Sequence, residues 1–140
     1  MGALIEGYVV KIENERFLVV DPLPQDYSST GGMREFFDAI WFSNVPKDIR
    51  VGQKVQVWFH NVATSYPGQS RAEKVSILPD HHPVKANLSG SEAIRKSLES
   101  EKLKETDIPL IKAVNYNPET DIWTIQIKQG KDEVNVQVKD

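Results

Sequence analysis

The sequence predicts a mainly β protein, in which a five-stranded barrel precedes a small α+β module of one helix and three antiparallel strands. Three observations support this fold class. Short apolar segments alternate with turn-forming residues over residues 1–79, one amphipathic segment follows, and strictly alternating strands complete the chain. Short strands at such spacing are typical of barrels and sandwiches. We therefore expect a barrel domain over residues 1–79, a linker over 80–87 and an αβββ module over 88–140.

The barrel begins with a predicted β-hairpin. Residues 3–12 are rich in β-branched and other strand-forming residues, residues 13–15 supply a turn, and Arg16–Val20 is a second apolar run. Two such runs on either side of a short polar turn indicate a hairpin. Residues 21–32 combine Pro, Gly and Ser, which interrupt regular structure, so we expect a long loop there.

Two further strands precede a second loop. Residues 36–42 are the third strand candidate and residues 51–59 the fourth. The apolar residues of the fourth strand alternate with Lys54 and Gln56, which is the period-two pattern of a half-buried strand. Gly52 near its start permits a close backbone approach or a bulge.

The fifth strand completes the predicted barrel. Residues 61–69 form the second loop, and Arg71–Leu78 form the strand. A closed or nearly closed barrel leaves no exposed sheet edge, which favours this arrangement for five short strands. We expect a barrel of the oligonucleotide/oligosaccharide-binding (OB) type, with an SH3-like barrel as the alternative.

A linker and a helix follow the barrel. Residues 79–87 contain two prolines and almost no apolar spacing, which is typical of a linker. Ser89 and Glu92 have the spacing of a capping box, so a helix should begin there. We expect it to end before Pro109. Its narrow apolar stripe consists of Ala93, Ile94, Leu98 and Leu103.

Three strands complete the second module, at Leu110–Tyr116, Ile122–Lys128 and Glu133–Lys139, with turns at residues 117–120 and 129–132. Apolar and polar residues alternate in the last two strands, so one face of the sheet should be apolar. The stripe of the helix is the surface that we expect to cover this face.

Composition excludes several classes of function. The chain has 140 residues, a net charge of −3 and no cysteine. Disulfides, thiolate metal sites and cysteine nucleophiles are therefore excluded. Proteins that track phosphates need clustered basic residues, which neither half of the chain has, so we expect no nucleic-acid partner. No catalytic or cofactor-binding motif occurs, and we expect neither an enzyme nor a cofactor.

Four blocks of the first module carry a family resemblance. They are Gly7–Val10, Asp38–Trp41, Val51–Val55 and Ser65–Gln69. In this order they resemble the YobA-like domain of unknown function, a family of small secreted or lipid-anchored proteins of Gram-positive bacteria, over residues 5–79. The resemblance implies an OB-like barrel, an extracytoplasmic location, and membrane contact only through an N-terminal lipid anchor. The family has no established activity, so it implies no catalytic residues.

The second module resembles the PepSY and cystatin-like modules, in which a helix precedes a sheet. The resemblance rests on the stretch from Tyr116 to Ile125, which contains a turn and a tryptophan strand. Such modules occur in extracytoplasmic proteins, and some relatives restrain proteases. Protease restraint is therefore an alternative function that this resemblance implies.

Two barrel loops are the candidate binding surfaces. The first contains Tyr27, and the second contains Ser65, Tyr66 and Gln69, with Arg71 close behind. Loops on a rigid scaffold often carry binding residues, and these combine aromatic rings with hydrogen-bonding groups. The alternative is structural: a Tyr-Pro-Gly turn that folds back on the barrel, and a plain connection.

Trp41 and Trp58 are candidates for a platform on which sugars or bases stack. Large aromatic residues in strands more often belong to the core. Core burial is therefore the alternative for both residues and the expectation for Trp123.

His81 and His82 lie beside Asp80, and imidazole and carboxylate groups suit a transition metal. Adjacent histidines on a linker lack the ligand spacing of metal sites, so we expect a solvated linker and no metal.

These observations lead to the hypothesis of a non-catalytic binding or interaction protein outside the cytoplasm. Its partner would be an unknown protein or a cell-wall component, and the chain would be a monomer or a weak homodimer. Protease restraint is the alternative. Binding of single-stranded nucleic acid or oligosaccharide by the barrel is a third hypothesis, which the charge of the barrel disfavours.

Overall fold

The computed structural model describes residues 2–23, 38–63 and 67–140. Within these ranges, nine strands form two sheets and are joined by one short helix, so the prediction of a mainly β protein is confirmed. In chain order the elements are β1 (Ala3–Glu13), β2 (Arg16–Val20), β3 (Ala39–Ser43), β4 (Lys54–Phe59), β5 (Gly68–Arg71), β6 (Lys74–Ile77), α1 (Gly90–Ser97), β7 (Leu110–Asn117), β8 (Ile122–Gln129) and β9 (Asp132–Lys139).

The first sheet contains six strands in the order β5-β3-β2-β1-β4-β6. Neighbouring strands are antiparallel except β3 and β5, which are parallel. The hairpin predicted at the start of the chain is confirmed as β1 and β2. Its turn contains Asn14 and Glu15, both of which have a positive φ.

The predicted fifth strand is divided in two. β5 pairs with β3, whereas β6 pairs with β4. Between them the Ala72 amide donates to the Ser43 carbonyl (3.0 Å) and the Glu73 amide to the Trp58 carbonyl (2.8 Å), so the chain changes partner here. β5 and β6 are the two edges of the sheet although only two residues separate them. The described strands form no closed ring, and the closed five-stranded barrel is not confirmed.

Both faces of the first sheet are apolar. Phe17 and Val19 lie in one cluster of buried residues, and Leu18 and Val20 lie in another on the opposite face. All four are buried, so β2 is covered on both sides. A strand that is covered on both sides carries a continuous apolar run rather than an alternating one. This explains the unbroken run at the end of the hairpin.

The second sheet has the order β7-β8-β9 and shares a core with the first. Ala93 and Ile94 of α1 lie in the same buried cluster as Trp123 and Ile125 of β8, so the prediction that the helix covers the apolar face is confirmed. Leu18 of the first sheet belongs to this cluster as well. One core therefore serves both sheets, and the division of the chain into two domains stays a prediction.

The helix begins as predicted and ends early. The Ser89 hydroxyl accepts the Glu92 amide (3.3 Å), and the Glu92 carboxylate accepts the Ser89 amide (3.1 Å), so the capping box is confirmed. The helix ends at Ser97, and turns follow at residues 98–107. The prediction that the helix continues towards Pro109 is wrong, because residues 99–102 offer no apolar side chain to continue the buried stripe. No helix in the described ranges is long and apolar enough to cross a membrane.

The predicted linker is held at both ends. The Asp80 carboxylate accepts the Ser91 amide (3.0 Å) and the Ser91 hydroxyl at the start of α1. The Asp140 carboxylate accepts the amides of Asn87 and Leu88 (2.7 and 2.9 Å). The connection between the sheets is therefore fixed by hydrogen bonds to residues on either side of it.

Candidate functional site

Four of the predicted site residues lie in the described ranges. Trp41 and Gln69 are in register on β3 and β5, and Arg71 is in register with Ser43 further along the same pair. Gln69 and Arg71 are exposed. Trp58 lies on β4, which is not a neighbour of β3 or β5. The structure thus brings Trp41, Gln69 and Arg71 together on one face and leaves Trp58 apart.

Tyr27, Ser65 and Tyr66 lie outside the described residues. The strands that flank their two loops are described: β2 and β4 run into the loops, and β3 and β5 leave them. β2 and β4 are both antiparallel to β1, so they end on the same side of the sheet. Both loops therefore join the first sheet at one end, which we call the loop end.

The three tryptophans have different surroundings. Trp123 is 0% exposed, which confirms its prediction as a core residue. Trp41 is half-buried against the shared core, and the Arg16 guanidinium lies 5.2 Å from its ring centre. Trp58 is half-buried outside both described clusters of buried residues, with the Lys74 ammonium 5.0 Å from its ring centre. Each half-buried indole therefore already faces a cation of this chain.

A groove that the sequence did not predict lies at the opposite end of the first sheet. Its three adjoining cavities have volumes of about 490, 490 and 750 Å³. The first two share Ile12 and Ile49, and the second and third share Leu98 and Glu99. We call this surface the hairpin-end groove. Its walls are the tip of the β1–β2 hairpin, the β3–β4 loop and the segment that follows α1.

The largest of the three cavities has an acidic rim of five carboxylates and two ammonium groups. Both ammonium groups have partners, because Lys104 pairs with Asp132 (3.1 Å) and Lys11 donates to the Glu105 carbonyl (3.4 Å). None of the five carboxylates forms an ion pair with another described residue. This cavity therefore has an excess of negative charge beside apolar side chains, whereas the two smaller cavities are lined by the cations Lys47, Arg50 and Arg95. The five are Glu13, Glu99, Glu101, Glu105 and Asp107.

Gln129 fixes one wall of the groove. Its side-chain nitrogen donates to the carbonyls of Lys104 and Asp107 (2.8 and 3.0 Å), and its side-chain oxygen accepts the Lys104 amide (2.9 Å). The sequence predicts a turn at residues 129–132, whereas Gln129 is the last residue of β8 and is buried. The signal that could have found it is its position on the inward face of an alternating strand, where an apolar residue is expected.

Asp140 anchors the second module. Its carboxylate accepts the indole N–H of Trp123 (3.0 Å) in addition to the two amides of the connection. Burial acts to raise the pKa of Asp140, but the hydrogen bonds from Asn87, Leu88 and Trp123 outweigh it and lower the pKa to about 2. Asp140 is therefore ionised at every physiological pH, and we assign it a structural role.

Tyr116 lies close to this anchor. Its hydroxyl donates to the Asp121 carboxylate (2.5 Å), and this hydrogen bond raises the pKa of Tyr116 to about 12. The residue lines a cavity of about 360 Å³ with His81 and Pro83. Its hydroxyl stays protonated near neutral pH and acts there as a hydrogen-bond donor.

The histidines of the connection do not form part of a larger cluster in the described ranges. No group of three or more His, Asp or Glu side chains there is arranged to hold a metal ion. The Nε2 atom of His82 lies 2.8 Å from the Ala86 carbonyl oxygen, so its ring takes part in the local turn.

Residues 6–79 match the model of the family described as "Protein of unknown function (DUF3221)". The chain is also similar to two solved structures of YobA from Bacillus subtilis, each at 22% sequence identity. A crystal structure aligns over 56% of this chain and 96% of its own, with a TM-score of 0.40. A solution structure of its residues 21–120 aligns over 59% and 86%, with a TM-score of 0.42. Among curated proteins no significant match is found. The family that the sequence motifs indicated is confirmed.

Proposed function

This chain belongs to the DUF3221 family of proteins of unknown function, and we propose that it is a non-catalytic binding protein that acts outside the cytoplasm. The observation that carries the proposal is the hairpin-end groove, where Ile12 is 44% exposed between adjoining cavities. Concave surfaces that combine apolar side chains with a few polar groups are the usual sites of ligand binding.

The charges of the largest cavity favour a partner that is both cationic and partly apolar. Five carboxylates line this cavity against two ammonium groups, and one of these, Lys104, is paired with Asp132. Complementary charge raises the rate of encounter and excludes acidic partners. A basic peptide or a cationic cell-wall component fits these requirements, and a polyphosphate does not.

We also propose that the first sheet is an OB-like barrel whose fifth strand is split at Ala72 and Glu73. The two edge strands are joined by these two residues alone, and two extended residues span less than about 10 Å, so the sheet must curl until its edges approach each other. The parallel pairing of β3 with β5 supports the proposal, because it brings the first half of the split fifth strand beside the third strand of the sheet.

The burial of Leu18 and Val20 argues against the usual ligands of OB folds. Such folds bind oligonucleotides and oligosaccharides on the face of their second and third strands. In this chain that face carries Leu18, Val20 and Ala39, all buried in the core shared with the second sheet. A ligand would have to displace the second module to reach it.

The loop end is a second candidate contact surface. Both barrel loops join the sheet there, and Gln69 is exposed next to Trp41. Tyr27, Ser65 and Tyr66 belong to these loops, and Arg71 follows the second. Two loops that meet at one end of a rigid sheet are a common arrangement for binding.

A thermal-shift screen of the full chain tests the proposal. The panel contains basic and acidic peptides, polyamines, cell-wall fragments and oligonucleotides. A ligand that binds only the native state raises the melting temperature by an amount that grows with the logarithm of its concentration over Kd. We expect a shift with a basic peptide or a cationic cell-wall fragment that weakens as salt rises, because exposed charges are screened. A shift with oligonucleotides alone would contradict the assignment of the groove.

Two matched variants then locate the site. Ile12→Ser changes the groove, and Leu4→Ser changes a residue of the same strand that is similarly exposed, at 50% against 44%, but lies near the loop end. We expect Ile12→Ser to weaken binding about tenfold, the factor that 1.4 kcal/mol of lost contact gives, and Leu4→Ser to leave it unchanged. Loss of binding only in Tyr66→Ala with Arg71→Ala would move the site to the loop end.

The proposed location rests on the family resemblance. Fractionation of the native host with an antibody against the chain tests it. We expect the protein in the secreted or membrane fraction, and recovery with cytosolic proteins alone would contradict the proposal.

A further inference from the structure

The two edges of the second sheet differ in how they are covered. β7 has a bulge between Ile111 and Ala113, and Tyr116 of this strand lies 3.3 Å from the Lys85 carbonyl oxygen of the connection. β9 pairs with β8 through eight consecutive residues without a bulge, and no other strand in the described ranges pairs with it. A regular edge strand of this kind is a template for pairing with another chain.

The backbone groups of β9 alternate between β8 and the outside. In an antiparallel ladder, a residue exchanges both its hydrogen bonds with one neighbour, and the next residue turns both groups to the other side. The Lys102 ammonium lies 3.5 Å from the Asn135 carbonyl oxygen, so this carbonyl faces away from β8. Every second residue of β9 therefore faces outward with its N–H and C=O groups. These residues are Glu133, Asn135, Gln137 and Lys139, and all four side chains are exposed.

We propose that two copies of this chain associate through β9, antiparallel and about a two-fold axis at Val136, to form one continuous six-stranded sheet. In this register the outward backbone groups of one copy meet those of the other. Asn135 then lies opposite Gln137 of the second copy, and the outward groups of both residues can pair once Lys102 leaves the Asn135 carbonyl. The proposal concerns a surface distinct from the hairpin-end groove and does not depend on the proposed binding function.

The side chains of β9 are complementary to themselves in this register. Glu133 lies opposite Lys139 of the second copy, and the two-fold axis repeats this ion pair at both ends. On the other face Val134 lies opposite Val138. Opposite charges and apolar pairs that face each other across strands stabilise a sheet. Within its own chain Glu133 accepts from Lys112 through Oε1 (2.7 Å) and from Gln126 through Oε2 (3.2 Å). Each carboxylate oxygen has a second lone pair, which leaves room for Lys139 of the second copy.

Other registers are less favourable. A shift of one residue would place outward backbone groups opposite groups already bonded to β8, so no ladder could form. A shift of two residues in one direction places Lys139 opposite Lys131, and like charges that face each other repel. A shift of two residues in the other direction separates Glu133 from Lys139 and places Lys139 opposite the neutral Asn135. The charges of the strand therefore select the register centred on Val136.

Lys102 limits how strongly the copies associate. Its ammonium contacts the outward carbonyl of Asn135, and it must move before a second copy can pair. Lysine at an edge is a common protection against such pairing. A single eight-residue strand buries less surface than a standard interface, so we expect a weak dimer that forms as concentration rises.

Sedimentation equilibrium of the full chain over a range of concentrations tests the proposal. We expect a monomer–dimer equilibrium in the native chain. Asn135→Pro removes an outward N–H without touching a bond to β8, so the variant should keep its melting temperature and lose the dimer. Asn135→Ala is the matched control and should dimerise as the native chain does. A native chain that stays monomeric throughout, or an unchanged dimer in Asn135→Pro, overturns the proposal.

Two further variants test the proposal even where the proline variant does not fold. Lys139→Glu places carboxylates opposite each other at both ends of the pairing and should weaken the dimer at least tenfold at low salt. Lys102→Ala removes the protecting ammonium and should strengthen the dimer a few fold. Absence of both effects contradicts the proposed surface.

The register can be measured directly because the chain has no cysteine. Asn135→Cys and Gln137→Cys variants are mixed and oxidised under mild conditions. We expect the mixed disulfide to form faster than either symmetric one, since these two positions lie opposite each other. Faster formation of the symmetric Asn135→Cys disulfide would overturn the register centred on Val136.

Discussion

The two sheets of this protein differ in how much of their surface folding covers. In the first sheet, both faces carry buried residues, and the two edge strands are joined through Ala72 and Glu73 alone. In the second sheet, one face packs against α1 and the first sheet, while no second described strand pairs with the edge strand β9. Folding thus covers both faces of the first sheet, whereas the second sheet keeps a strand edge that our proposal assigns to a second copy of the chain.

The largest expected effect comes from removing the core that joins the two sheets. Trp123→Ala empties a fully buried site, and aromatic-to-alanine changes in cores cost about 3–5 kcal/mol. We expect this loss in urea unfolding, in a single transition, because Leu18 and Trp123 belong to one cluster. Trp58→Ala is the control outside both described clusters and should cost about 1 kcal/mol or less. Equal losses would mean that the shared core does not hold the sheets together.

The contact between α1 and the first sheet gives the next largest effect. Gly52 has a φ of +99°, and a Cβ there would lie 2.2 Å from the Ser91 carbonyl oxygen. The expectation of a close backbone approach at Gly52 is thus confirmed, and Gly52→Ala should cost about 3 kcal/mol in thermal or urea unfolding.

Gly130→Ala separates strain from collision in that experiment. Gly130 also has a positive φ, of +61°, but nothing lies within 4 Å of its added Cβ. It should cost only about 1 kcal/mol, the strain of a non-glycine residue in this conformation. If the two variants lose the same stability, backbone strain alone explains the loss in Gly52→Ala, and the contact with the helix does not add to that loss.

A smaller effect is expected at the start of the helix that covers the second sheet. Ser89→Ala removes the hydroxyl that accepts the Glu92 amide, and loss of such a cap costs about 1 kcal/mol. Chemical unfolding measures this loss. Ser76→Ala, in β6, should leave stability within about 0.5 kcal/mol of the native chain, as surface substitutions usually do.

The smallest effect depends on pH. The folded pKa of Asp140 is about 2, below its ordinary value of 3.8, because the ionised carboxylate accepts three hydrogen bonds. The stabilisation is complete above pH 3.8 and is lost as the pH falls through about 2. The Asp140→Asn variant should therefore have a lower melting temperature than the native chain at neutral pH, and this difference in melting temperature should become smaller in acid. A difference that does not change with pH, or one equally present in the control Asp48→Asn, would contradict this account.

Local patterns predicted much of this fold, because their causes lie within a few residues. The capping box needs only Ser89 and Glu92, and the glycine at position 52 by itself indicates a close backbone approach. The end of the helix at Ser97 and the partner change at Ala72 were missed. Both depend on which distant surface receives the next residues, and a single sequence carries no direct signal for that.

The candidate site was harder to predict than the fold. Ile12 and Leu98 line the same cavity of the hairpin-end groove although they are far apart in sequence, and no spacing rule connects them. For Trp41 the sequence left a stacking platform and a core residue as alternatives, and its ring is half-buried against the shared core. In the sequence, Leu18 and Val20 are apolar residues of a predicted barrel strand. Their burial in the core shared with the second sheet depends on contacts with distant residues.

The junction at Ala72 and Glu73 has a consequence for the order of synthesis and folding. β1 to β4 can pair as soon as they are made, but that partial sheet ends in β3 and β4, whose outer sides wait for β5 and β6. Completing it requires the slow formation of contacts between distant residues. A nascent chain that pauses before Gly68 therefore presents two bare strand edges. Such intermediates aggregate, and a chaperone on the newly made chain would protect this protein at that stage.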